Sequence, residues 1–109
     1  MSDRLSAARD YVARKPTDRF GLYTLGMELR KVAAWSECFS TFDRLIEHHP
    51  DYGAAWYHYG MARYESGDKA GALRTLRGGL PACDRTSDAR TRNEILGAVE
   101  TIEASDDEA

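Results

Sequence analysis

The sequence lacks most of what marks a membrane protein, a disulfide scaffold or an enzyme. No run of apolar residues approaches the ~20 that a spanning helix needs, and the opening stretch "MSDRLSAARDYVARK" has no apolar core of the signal-peptide kind. The cytoplasm is the expected compartment. There are two cysteines, Cys38 and Cys83, in no metal or redox spacing. Cys38 falls in a helical apolar pattern and is expected to be a buried thiol. Cys83 is expected in a loop, with nothing near it that would lower its pKa. No glycine-rich phosphate loop, nucleophile elbow or Ser/His/Asp order is present, so no catalytic residue, enzyme activity or cofactor is expected. His48-His49-Pro50-Asp51 is the one stretch that suggests a metal. Adjacent helical histidines point about 100° apart, and His58 belongs to another helix, so a helix-end role is expected and no metal site. A net charge of −3 argues against a nucleic-acid or anionic-membrane partner.

What remains is an ordinary globular composition, 42% hydrophobic and 30% charged over 109 residues, enough for one domain with its own core. No segment shows the two-residue alternation of a strand, and the apolar spacing is helical throughout. The pattern predicts an all-α chain with six helices, over about 2–15, 19–32, 36–49, 53–66, 69–80 and 87–104. Pro16, Pro50 and Pro81 are read as helix ends, because proline lacks the amide donor and clashes with the preceding turn. Asp18 and Asp51 follow as expected N-caps. "ESGDKAGAL" reads as a tight corner in which Gly67 takes a left-handed C-cap and Asp68 caps the next helix. The equivalent corner has Ala33 in place of that glycine, with Ser36 as its expected cap. "GGLPACDRTSD" is the one longer break, and 105–109 reads as a disordered acidic tail.

Pro16 and Pro50 are 34 residues apart (50 − 16). Shifting the chain by that interval lays Leu22 on Trp56, Leu25 on Tyr59, Gly26 on Gly60, Cys38 on Ala72 and Phe42 on Leu76. These residues resemble the tetratricopeptide repeat, a 34-residue helix–turn–helix unit with the pattern W-x2-L-G-x2-Y … A-x3-F … P. The first unit reads Leu22-x2-Leu25-Gly26-x2-Leu29, Cys38-x3-Phe42, Pro50. The second reads Trp56-x2-Tyr59-Gly60-x2-Arg63, Ala72-x3-Leu76. The resemblance implies a helix-turn-helix superhelical array in one domain, 1–104, with repeats at about 19–52 and 53–81. Flanking caps would cover the ends, through Leu5, Ala8, Tyr11 and Val12 at 2–15 and through Ile95, Leu96, Val99 and Ile102 at 87–104. Arg63 departs from the pattern's tyrosine, so that edge is expected to be partly open or covered by the arginine stem. Gly78-Gly79 weakens its helix, and the array is expected to end there.

Each first helix carries a second apolar stripe, roughly 100° round from the packing stripe: Phe20, Tyr23, Met27 and Arg30, then Tyr57, Met61 and Tyr64. Tyr23/Tyr57 and Met27/Met61 are identical pairs at the repeat interval. The resemblance implies that this stripe lines a concave groove for a peptide or partner helix, built from Phe20, Tyr23, Met27, Arg30, Lys31, Tyr57, His58, Met61 and Tyr64. Aromatic and methionine side chains suit recognition because they offer large area and adaptable contact. The competing expectation is that the stripe packs on the protein's own last helix. One branch of the family clamps chaperone C-terminal carboxylates with Lys and Asn on this face. Here Tyr23, Met27 and His58 stand in those places, so that specificity is excluded. The expected function is non-enzymatic protein binding, with self-association through the same stripe as the alternative.

Overall fold

A computed structural model describes residues 3–105. Among them every regular element is a helix: α1 (Asp3–Arg14), α2 (Arg19–Lys31), α3 (Trp35–His48), α4 (Gly53–Glu65), α5 (Lys69–Gly78), α6 (Leu80–Thr86) and α7 (Ala89–Ala104). The all-α repeat architecture is as expected, with one helix more than the sequence suggests. The expected disorder at 105–109 concerns a segment that, apart from Ser105, lies outside the described residues. The chain divides into two compact units, Met1–Pro50 and Asp51–Ala109.

In the first unit α2 packs on α3, and Leu22, Leu25 and Leu29 of the one and Phe42 and Leu45 of the other are essentially buried. Contact is close because Gly26 has no side chain: a Cβ there would stand 2.8 Å from Phe42 Cζ. The helix α1 packs on α2 with Ala8 and Val12 buried, and Arg9 reaches α3 through two hydrogen bonds to Glu37, of 3.0 and 2.6 Å. That pairing holds the Glu37 carboxyl below its usual range. The α1–α2 loop is held by the end of α3: Arg44 donates to the Pro16 carbonyl at 2.8 Å, and His49 Nε2 lies 2.7 Å from the Thr17 carbonyl. The histidine at the helix end thus secures a loop.

In the second unit, α4 and α5 meet across Gly60, where a Cβ would stand 2.5 Å from Leu76 Cγ. Ala72 and Leu76 join Cys83 of α6 and Ile95 and Ile102 of α7 in one buried cluster. The sequence reading placed Leu96 on the buried face of α7. It is 40% exposed, because it lies a full 100° from Ile95, and Ala98 packs on the cluster with Val99. Gly78-Gly79 has a steric reason: Cβ atoms there would stand 2.9 Å from Trp56 Cζ3 and 2.4 Å from Trp56 Cβ. Only a backbone without side chains admits the indole so closely.

The break expected at "GGLPACDRTSD" is largely helical. Pro81 does not close a helix; it occupies the first turn of α6, where its missing amide has no intrahelical partner to lose. Cys83 is consequently not in an exposed loop. It is buried in α6, and burial raises its thiol pKa, reinforced by Asp88 and Asp84. Two expected caps also fall elsewhere. Asp51 pairs with Arg85 at 2.5 Å, and the N-cap of α4 is Tyr52, without a side-chain bond. Ser36 lies inside α3, whose N-cap is Ala34. Asp18 and Asp68 do cap, accepting from the Gly21 and Gly71 amides at 2.8 and 2.9 Å.

Candidate interaction surfaces

The candidate residues sit on α2 in the first unit and on α4 in the second. On α2 the packing stripe is sealed: Leu22 and Leu29 are 0% exposed and Leu25 is 4%. Roughly 100° round the helix, Phe20 is 68% exposed, and Tyr23, Met27 and Arg30 are half-buried. Lys31 is exposed and bonds to Glu28 at 3.1 Å. The helix therefore carries more apolar surface than its own unit buries.

The α4 stripe has different surroundings. Tyr57 and Met61 pack against the cluster that Ala72, Leu76, Ile95 and Ile102 build. Tyr57 also meets the His58 ring edge-on, with centroids 5.0 Å apart. Tyr64, 36% exposed, is the most open of the four. Arg63 lies over the Tyr59 ring at 4.7 Å, donates to the Tyr59 hydroxyl at 2.7 Å and pairs with Asp68 at 3.1 Å. Where the repeat pattern has a tyrosine, the arginine ties the packing stripe to the cap of the next helix.

A feature not singled out in the sequence lies between α1 and α2. A cleft of about 420 Å³ is lined by Arg4, Ala7, Ala8 and Tyr11 on one side and by Phe20, Gly21, Thr24 and Glu28 on the other. Its end is shaped by Tyr11, whose ring meets Phe20 edge-on at 6.2 Å and whose hydroxyl donates to Asp18 at 3.2 Å. The 34-residue interval contains a signal for this cleft: Ala8 stands where the next second helix has Phe42 (42 − 8).

Several charged side chains form ion pairs at the surface, such as Arg92–Asp84 at 2.9 Å and Arg90–Glu94 at 3.8 Å. Among the described residues no three His, Cys, Asp or Glu side chains are grouped to hold a metal ion. No helix is long and apolar enough to cross a membrane.

No protein-family model matches the chain, and no curated protein does. Solved structures do. A Bordetella parapertussis protein determined in solution is 19% identical with a TM-score of 0.80, over 94% of this chain and 90% of that one. A tetratricopeptide repeat domain protein from Salinibacter ruber, also determined in solution, is 24% identical with a TM-score of 0.77, over 86% and 95%. A crystal structure of a tetratricopeptide repeat domain protein from the same organism gives 25% identity and a TM-score of 0.71, over 80% and 98%. Such a scaffold generally serves protein–protein interaction and not catalysis. With the 34-residue period, the sealed Leu22–Leu25–Gly26 stripe and its counterpart at Tyr59–Gly60, these likenesses make the fold of this chain that of the tetratricopeptide repeat.

Proposed function

We propose that the protein is a non-enzymatic binding module that holds a peptide or helical segment of a partner protein on the second stripe of its repeats. Phe20, Tyr23 and Met27 of α2 are the anchors, and Arg30 and Lys31 are the polar border. The observation that carries this reading is the 68% exposure of Phe20 on a helix whose packing stripe is already sealed. An exposed aromatic beside a half-buried Tyr and Met supplies the large, low-entropy contact area that interaction surfaces use. In the second unit the counterpart stripe is largely taken up by that unit's own cluster, through Tyr57 and Met61, and offers Tyr64.

The test is selection of displayed peptides on the full chain, followed by measured affinities for Phe20→Ala with Met27→Ala. At least a tenfold loss is expected, with the far-UV circular dichroism unchanged. Binders that keep their affinity for the double variant would exclude this face. A wild type that elutes as a dimer, and a variant that elutes as a monomer, would assign the stripe to self-association instead.

A further inference from the structure

The cleft between α1 and α2 has a shape and a charge pattern of its own. By the repeat interval α1 is a second helix: Ala8 takes the place of Phe42 and Leu76 (42 − 8 and 76 − 42), and Arg4 that of Cys38 and Ala72 (38 − 4 and 72 − 38). In α3 and α5 the large Phe42 and Leu76 press against the glycine of a first helix, at 2.8 Å from Gly26 and 2.5 Å from Gly60 by their would-be Cβ atoms. In α1 the large residue is an alanine, and the space it leaves belongs to the 420 Å³ cleft. The complement of such a seat is a helix with a large apolar residue where the chain's own first helices carry glycine.

The charges specify that helix further. Arg4, Ala8 and Tyr11 follow one another at spacings of four and three residues and form one stripe along α1; Lys15, just past the end of the helix, continues it, with its amide bonded to the Tyr11 carbonyl at 2.8 Å. The two cations stand at its ends, roughly 16 Å apart at the helical rise. Lys15 lies 5.9 Å from the centre of the Tyr11 ring, and neither cation has a carboxylate partner among the described residues. On the opposite wall, Glu28 is already satisfied by Lys31 at 3.1 Å.

We infer that the α1–α2 cleft is a docking site for an amphipathic helix of a partner protein, with a leucine or phenylalanine at its centre and carboxylates about eleven residues apart. The central side chain enters over Ala8, against the paired rings of Tyr11 and Phe20, and the carboxylates meet Arg4 and Lys15. This rests on the proposed function in taking a protein segment as the ligand and shares Phe20 with it; the alanine floor and the cations of the seat are those of α1 and its end.

The probe is a designed eighteen-residue amphipathic peptide with a central leucine and two glutamates eleven residues apart, titrated against the full chain by fluorescence anisotropy at low salt. The controls carry lysines at the two glutamate positions, or alanine at the centre. The glutamate peptide is expected to bind at least tenfold more tightly than either control. Arg4→Glu with Lys15→Glu should invert the order of the two charged peptides, a gain that misfolding would not produce. Ala8→Phe should abolish binding of all three peptides and leave the melting temperature equal or higher. Equal affinities, absence of binding by every peptide, or a second copy held in the cleft by light scattering would overturn the inference. Peptides selected on Phe20 and Met27 that still bind Ala8→Phe would leave the proposed function standing; their failure on both surfaces would remove it as well.

Discussion

The corner between α2 and α3 in the first unit and that between α4 and α5 in the second share a backbone while differing in side chains. At the corner of the second unit Gly67 has φ 98°, its amide bonds to the Tyr64 carbonyl at 3.0 Å, and the Asp68 amide bonds to Arg63 at 2.9 Å. In the first unit Ala33 has φ 58°, with the matching bonds from Ala33 to Arg30 and from Ala34 to Leu29, both 3.1 Å. Glycine and aspartate favour that geometry, since glycine lacks the Cβ that left-handed backbone crowds and aspartate caps the next helix. Two alanines do not. The corner of the first unit is therefore imposed by the packing of α2 on α3 around Phe42 and Gly26, whereas that of the second is also encoded locally. The helix pair dictates the turn.

The comparison can be broken most severely at the glycines between the paired helices. Gly60→Ala puts a methyl against Leu76 Cγ, the branch point of a side chain that is 0% exposed, and should cost about 1–3 kcal/mol by overpacking. Gly26→Ala meets the edge of the Phe42 ring, which can tilt, and should cost less. Urea denaturation of the two variants gives the order. A larger loss at Gly26 would mean that the first pair is the more rigid.

Next come the caps. Asp68→Ala should destabilise by roughly 1 kcal/mol, since Asp68 caps Gly71 and also pairs with Arg63. Ala34→Asp is the converse. Ala34 has φ −82° and ψ 74°, close to the −99° and 78° of Asp68, so a new cap should form and raise the denaturation midpoint. A lowered midpoint would show that the resemblance of the two corners stops at the backbone.

Ala33→Gly should stabilise by up to about 1 kcal/mol, through relief of left-handed strain, and Gly67→Ala should lose a similar amount. Differential scanning calorimetry resolves both. No change at Ala33 would mean that the extra freedom of glycine in the unfolded chain offsets the relief.

The smallest effect is on acidification. Asp68 is held below its usual pKa chiefly by the Gly71 amide, and Asp88 by Thr91, through hydroxyl and amide. Because the folded pKa values are depressed, their stabilisation is complete above the unfolded value of about 3.9 and is lost as pH falls through the folded values. The melting temperature should hold from pH 7 to 5 and decline below about pH 4, less steeply in Asp68→Asn with Asp88→Asn. An unchanged slope would place the acid sensitivity elsewhere, with Glu37 beside Arg9 the next to examine.

The repeat was legible because its spacing is steric: Gly26 with Phe42, and Gly60 with Leu76, must recur together for the helices to approach. Asp18, Gly67 and Asp68 were legible because their roles are local. Asp51 and Ser36 were not, since any aspartate or serine near a helix start carries the same local signal, and only tertiary contacts decide among them: Asp51 turns to Arg85. The α6 helix was hidden by a proline that ends a helix or begins one with equal ease. On the candidate site, the period in the sequence separated the second stripe from the first. It did not reveal that Tyr57 and Met61 rest on a core partly made by α7, because no periodicity within α4 reports what covers it. The α1–α2 cleft is written in an absence, Ala8 in place of a large residue, and emerges only when α1 is aligned with α3.

The chain has two tryptophans, and their settings suit them to separate tasks. Trp35 stacks on Phe39 at 6.0 Å in the first unit, whereas Trp56 rests on the bare backbone of Gly78-Gly79 in the second. Each unit thus holds a single tryptophan, one against an aromatic neighbour and one against peptide groups. Excited at wavelengths where tyrosine does not absorb, Trp35→Phe emits from the second unit alone, and Trp56→Phe from the first. Two melts of otherwise identical molecules then show directly whether the units lose their structure in one cooperative step or in two.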